Sequence, residues 1–128
     1  MLLTEYLSGL TKDIDEYART GLVLTSEVTA DTRTEKIGLI KGAIVFLDES
    51  KLFFTEYLDL RYKIEKLAYS FHYQNKKGDL IFRYDNARHK PELKYREHKH
   101  IKGSVIQCDP PDLRSVLEEI VGNLLTLK

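Results

Sequence analysis

Histidine is the side chain whose ordinary pKa, about 6.5, lets it take or give a proton near neutral pH. This chain has four histidines, and all of them, His72, His89, His98 and His100, fall between Tyr69 and His100. Arg83, Asp85, Asn86, Lys90 and Lys99 lie in the same stretch. Those residue types suit RNA cleavage, which needs a base for the 2′-hydroxyl proton, an acid for the leaving oxygen, and cations for charge building on phosphorus. The four imidazoles are the candidate acids and bases. Arg83 and Lys99 are the candidate cations, and Asp85 can orient one of the rings. Asn86, Lys90 and Lys99 are candidates for holding a substrate.

Two other readings compete. His98-x-His100 on a strand would turn both rings to one side, and His89 or Asp85 could complete a three-ligand metal site. Zinc sites show tighter supporting patterns than this, so the expected site has neither metal nor other cofactor. The third reading is non-catalytic, with the basic loop holding a protein or nucleic-acid partner. Taken alone, His72 is most simply a partly buried strand residue, and Arg83 a partner for Asp85 or Glu56. Their clustering carries the catalytic reading. Glu56 joins the list as a general base if it shares a face with His72; otherwise it pairs with a cross-strand Arg83 or Lys66.

The elements that must position these groups can be read from periodicity. Leu3, Leu7, Leu10, Ile14 and Tyr17 alternate spacings of four and three, which predicts a helix with one apolar face. Thr4 is its expected cap, and Thr20-Gly21 its stop. Strand patterns follow from Leu22 to Tyr84, with turns expected at Asp31-Thr32-Arg33-Thr34 and Asp48-Glu49-Ser50. Asn75-Lys76-Lys77-Gly78 reads as a hairpin loop. Asp85 to Gly103 reads as a long basic loop folding over the open sheet face, and Ser104 to Gln107 as one more short strand. A final helix presents Leu113, Val116, Leu117, Ile120, Val121 and Leu124, with Asp109 as its expected N-cap. The expected fold is α+β: an antiparallel meander of five or six strands with N- and C-terminal helices packed on one face.

The hairpin sorts core from surface. Closure through residues 75–78 would pair Tyr73 with Leu80, Phe71 with Phe82 and Tyr69 with Tyr84, an almost wholly aromatic face for the helices to cover. The other face would carry His72 opposite Ile81, with Arg83 as its diagonal neighbour. A slip of one residue would reverse this sorting.

Composition bounds the rest. At 128 residues, 42% of them hydrophobic, the chain fits one domain, 1–128. Its opening, Met1-Leu2-Leu3-Thr4-Glu5, lacks the basic start of a secretory signal, and no apolar run is long enough for a membrane span. The single cysteine, Cys108, cannot form an internal disulfide and is expected to act as a small buried hydrophobe in a reducing compartment, the cytoplasm. A net charge of zero conceals an uneven spread: residues 61–102 carry 12 Lys+Arg against 5 Asp+Glu. A basic middle with acidic ends fits either an anion-binding surface or mutual neutralisation within the fold.

Phe71-His72-Tyr73-Gln74, Leu80 to Ala87 (LIFRYDNA), His89, Pro91-Glu92-Leu93 and His98-Lys99-His100 occur in an order and spacing that resembles the TumE family. Members are small prokaryotic toxins of type II toxin–antitoxin pairs. The resemblance implies a toxin role and a cognate helix-turn-helix antitoxin but does not by itself fix the reaction. RNA is the target that the residue types suit, and a homodimer is one assembly open to the chain. The chain has Lys90 where the family often has a second histidine before PEL. It reads Tyr95-Arg96-Glu97-His98-Lys99-His100 where Phe-Pro-His-His-Lys-His is frequent. Two histidines are thus replaced by a lysine and a glutamate, a change toward a cationic site.

Overall fold

The structure, a computed structural model, describes residues 1–87 and 96–126. Seven strands follow one another in a single antiparallel meander, each paired with its sequence neighbours. They are β1 (Val23–Thr34), β2 (Ile37–Phe46), β3 (Lys51–Asp59), β4 (Glu65–Gln74), β5 (Leu80–Asp85), β6 (His98–Ile101) and β7 (Ser104–Gln107). Helix α1 (Leu3–Ala18) precedes the sheet and α2 (Leu113–Thr126) follows it. The α+β class and the two terminal helices agree with expectation, and the strand count exceeds it. The additional strand is β6, inside the stretch expected to be loop.

Both helices cover the same face. Leu3, Leu10 and Ile14 of α1 and Leu113, Val116, Leu117 and Ile120 of α2 are buried with Ile40, Ile44, Leu52, Phe54, Leu58, Phe71, Tyr73 and Phe82 of the sheet. Each large side chain so buried is worth about 1.5–3 kcal/mol, so this one layer supplies the main cohesion. Gly42 is required by it, because a Cβ there would lie 2.2 Å from the Phe54 ring. No helix of the described residues is long and apolar enough to cross a membrane.

Several local expectations are corrected. Thr4 lies inside α1; its first turn is closed by Glu5, whose carboxylate accepts the Leu2 N–H at 2.9 Å. The first turn of the sheet falls at Glu35–Lys36, because Thr34 Oγ1 accepts the N–H groups of Lys36 and Ile37. Asp112, not Asp109, caps α2, its Oδ1 accepting the Ser115 N–H at 2.8 Å; Pro110 and Pro111 stand just before the helix.

The central hairpin also differs in register. Asn75 N–H donates to the Asp79 carbonyl, Gln74 pairs with Leu80, and an irregularity then brings Tyr73 opposite Phe82 and Phe71 opposite Tyr84. Relative to the expected pairing, β5 is shifted by two residues from Phe82 onward, and a shift of two preserves the sidedness of every side chain. Tyr69, Phe71, Tyr73, Phe82 and Tyr84 therefore still face the helices. What changes is contact: Arg83 stands directly opposite His72, and Leu80 leaves the aromatic layer for a largely exposed position.

Candidate functional site

The face away from the helices carries two continuous rows of side chains across the strands. One runs Glu27, Ala43, Phe53, His72, Arg83, His100, Val105. The next runs Thr29, Lys41, Thr55, Ser70, Asp85, His98, Gln107. Strand alternation puts both on one side, so His72, Arg83, Asp85, His98 and His100 meet at the junction of β4, β5 and β6. The last two arrive there because β6 pairs with β5, after which it returns immediately into β7. Lys102 and Gly103 both adopt positive φ, +42° and +80°, the backbone of a two-residue hairpin whose twist matches that of the strands.

Asp85 is the hub. Its Oδ2 accepts from Arg83 Nε at 2.7 Å, its Oδ1 lies 2.5 Å from His98 Nε2, and His100 Nε2 stands 3.6 Å from Oδ2. Asp85 and His98 are buried, whereas the Arg83 side chain is 37% exposed and that of His100 21%. The His98 and His100 rings meet edge to face, 5.0 Å between centroids. On the other side of Arg83, Nη1 lies 3.2 Å from His72 Nδ1, and His72 Nε2 lies 3.1 Å from Gln74 Oε1. Since a guanidinium only donates, Nδ1 of His72 accepts and its proton is assigned to Nε2, facing the Gln74 carbonyl oxygen.

Asp85, His98 and His100 are also the group among the described residues whose potential metal-ligand atoms converge, all within 4.8 Å. Both carboxylate oxygens are, however, already engaged by donors, one of them by a guanidinium whose positive charge would oppose a dication. The arrangement is a carboxylate compensated by cationic and imidazole donors.

Three other residues singled out by sequence sit elsewhere. Glu56 pairs with Tyr69 across β3 and β4 on the helix-covered face, fully buried, accepting from Tyr6 Oη at 2.8 Å and paired with Lys66 Nζ at 2.7 Å. The alternative role as a cross-strand partner of Lys66 is therefore the one its position fits. Burial first, and then the neighbouring Glu56, hold the Tyr6 phenol far above its ordinary value, so it remains a donor. Lys99 also faces the helices, bonded to Glu119 of α2 at 2.8 Å over the Tyr84 ring. Burial pulls its pKa down, but Glu119 and Tyr84 outweigh that and keep it raised. Asn86 accepts the Tyr69 N–H and donates to the Leu67 carbonyl, extending the β4–β5 edge through its side chain. His89 and Lys90 lie outside the described residues.

Sequence reasoning did not single out Gln74, which orients His72, or Phe53, its ring neighbour at 6.4 Å. Phe53 was visible as an aromatic one position out of phase with Leu52, Phe54 and Leu58. Cys108 is half-buried, and burial pushes its thiol up, away from the reactive thiolate.

An α+β meander with its core under two helices and a histidine–arginine–aspartate cluster on the opposite face defines a small protein whose candidate site lies on the sheet face away from the helices. A family model described as Toxin TumE matches residues 12–124, and the chain belongs to that family. It is accordingly the toxin of a toxin–antitoxin pair, and membership implies a cognate antitoxin. Searches of curated proteins and of solved structures returned no match.

Proposed function

We propose that this toxin cleaves RNA as an endoribonuclease that needs no metal, with His72, Arg83 and His100 at the reacting phosphate and Asp85 and His98 positioning them. The observation that supports this most is the cross-strand sequence His72, Arg83, His100 on the open face. Strands lie about 4.8 Å apart, so the outer two Cα atoms are separated by about 10 Å with the guanidinium between them. In-line displacement at phosphorus puts the entering and departing oxygens on opposite sides. Its base and acid therefore belong on opposite sides of the cation that holds the phosphate.

Roles follow from the bonds each imidazole makes. The neutral His72 keeps its Nδ1 lone pair on Arg83; when the guanidinium turns to a phosphate, that lone pair is released to take the 2′-hydroxyl proton. The 2′-oxygen bonds to phosphorus, the bond to the 5′-oxygen breaks, and protonated His100, its charge compensated by Asp85, returns a proton to the departing oxygen. The products are a 2′,3′-cyclic phosphate and a 5′-hydroxyl. Arg83 meets the charge that grows on the phosphoryl oxygens, while Asp85 and the buried His98 fix its angle. An RNA target places the activity in the cytoplasm, and a helix-turn-helix antitoxin is the inhibitor.

The test is cleavage of RNA by antitoxin-free protein in EDTA, with end-group analysis. Cyclic-phosphate ends are expected. Intact RNA after long incubation, with antitoxin binding retained, would remove the enzyme and leave a binding protein. Cleavage lost in EDTA and restored by a divalent ion would reassign Asp85, His98 and His100 to a metal.

A further inference from the structure

Phe53 lies in the same cross-strand row as His72 and Arg83, immediately beyond His72. It is 42% exposed, while Leu52 and Phe54 on either side of it are buried under the helices. A large exposed aromatic on the sheet face away from α1 and α2 asks for a ligand with a flat apolar face. The surroundings are mixed: Ala43 stands directly opposite on β2 with Val45 diagonal to it, and two lysines lie close by. Lys51 and Thr55 are its same-face neighbours along β3, and Lys41 stands diagonally across on β2. A shallow cavity of about 340 Å³ adjoins the ring, lined by Phe53, Thr55, Lys41, Ala43, Thr29 and Glu27 among others.

We propose that Phe53 is the floor of a nucleobase subsite, on which a base of single-stranded RNA stacks beside the cleaved phosphate. The proposal rests on the ribonuclease reading of the His72–Arg83–His100 row. Two strand steps, about 10 Å, separate Phe53 from Arg83, the reach from a phosphate to the base of an adjoining nucleotide. Stacking on an aromatic ring accepts any base and contributes about 1–3 kcal/mol. Lys41 and Lys51 are placed to meet the backbone phosphates. Duplex RNA buries its base faces in its own stack, so this subsite selects single strands. Glu27, Thr29 and Thr55 put hydrogen-bonding groups at the cavity rim, where a base edge would lie.

The chain has no tryptophan, so Phe53→Trp installs a sole indole at the subsite. Binding is read with a 2′-O-methyl oligonucleotide, which this chemistry cannot cleave, and catalysis with unmodified RNA. The expected result is quenching of the indole emission by the single strand and little by a duplex of the same sequence. Phe53→Ala and Phe53→Leu weaken single-strand binding about 5- to 150-fold, Phe53→Trp retains it, and melting temperatures confirm folding. Unchanged affinity of folded Phe53→Ala and Phe53→Leu overturns the subsite and leaves the ribonuclease reading standing. Equal loss on duplex overturns it too, as does loss of antitoxin binding with oligonucleotide affinity intact, which would make Phe53 part of a protein interface. Wild-type protein that neither binds nor cleaves RNA overturns both.

Discussion

Glu56 and Asp85 are both buried carboxylates on the central strands, and both are paired with a cation, yet they have opposite surroundings. Glu56 points under the helices, where Tyr6 and Lys66 close over it and Lys66 itself also donates to the Pro111 carbonyl. Glu56 itself is fully buried there, and the Lys66 side chain is only 14% exposed. Asp85 points the other way, and the groups it holds, Arg83 and His100, remain partly open to solvent. The same chemical pair thus serves as an internal tie on one side of the sheet and as a poised site on the other. What separates them is whether the partner of the buried charge can turn to a ligand.

That contrast can be broken by mutation. The largest expected effect is on the open face: His72→Ala or His100→Ala lowers RNA cleavage about 10²–10⁴-fold while thermal unfolding moves little. If both variants cleave RNA at the wild-type rate, the open face is not catalytic. Second comes Glu56→Ala, which leaves Lys66 and Tyr6 without their carboxylate and lowers stability by about 3–5 kcal/mol in denaturant unfolding. Cleavage per folded molecule stays unchanged in that variant, and a selective loss of activity would return Glu56 to the site. Lys99→Met, which keeps the stem over Tyr84 but removes the bond to Glu119, costs about 1 kcal/mol with activity preserved; RNA affinity measured alongside shows whether Lys99 contacts substrate.

The smallest effect concerns the start of α2. Asp112→Ala removes the cap and costs about 1 kcal/mol at neutral pH. The Ser115 N–H holds the Asp112 carboxyl below its ordinary value. Its contribution is therefore full above the unfolded pKa, about 3.9, and fades as pH falls through the lowered folded value. Unfolding curves of wild type and variant should converge in acid, and a gap that persists there would assign the difference to something other than the carboxylate.

Much of this was legible in sequence because it depends on parity. Apolar spacing identified both helices, and alternation along β4 and β5 placed the aromatics on one side and His72 and Arg83 on the other. A two-residue error in pairing left that sorting intact. The missed strand, β6, is short and highly polar, and its turn is Lys102-Gly103 rather than an asparagine–glycine pair, so neither apolar pattern nor turn chemistry announced it. The placement of Glu56, Lys99 and Asn86 escaped for a different reason. Lys and Glu are ordinarily exposed, and only a view of what lies opposite them distinguishes a solvated charge from one tied beneath a helix.

Local chemistry alone therefore determined the α+β class, the oily side of the ribbon and the short list of reactive side chains, since periodicity and residue type travel with the chain. Which of those side chains meet was decided by pairing between strands distant in sequence. Asp85 reaches His98 and His100 only because β6 docks along β5, and a hydrogen-bond register is a property of two segments that neither one encodes by itself.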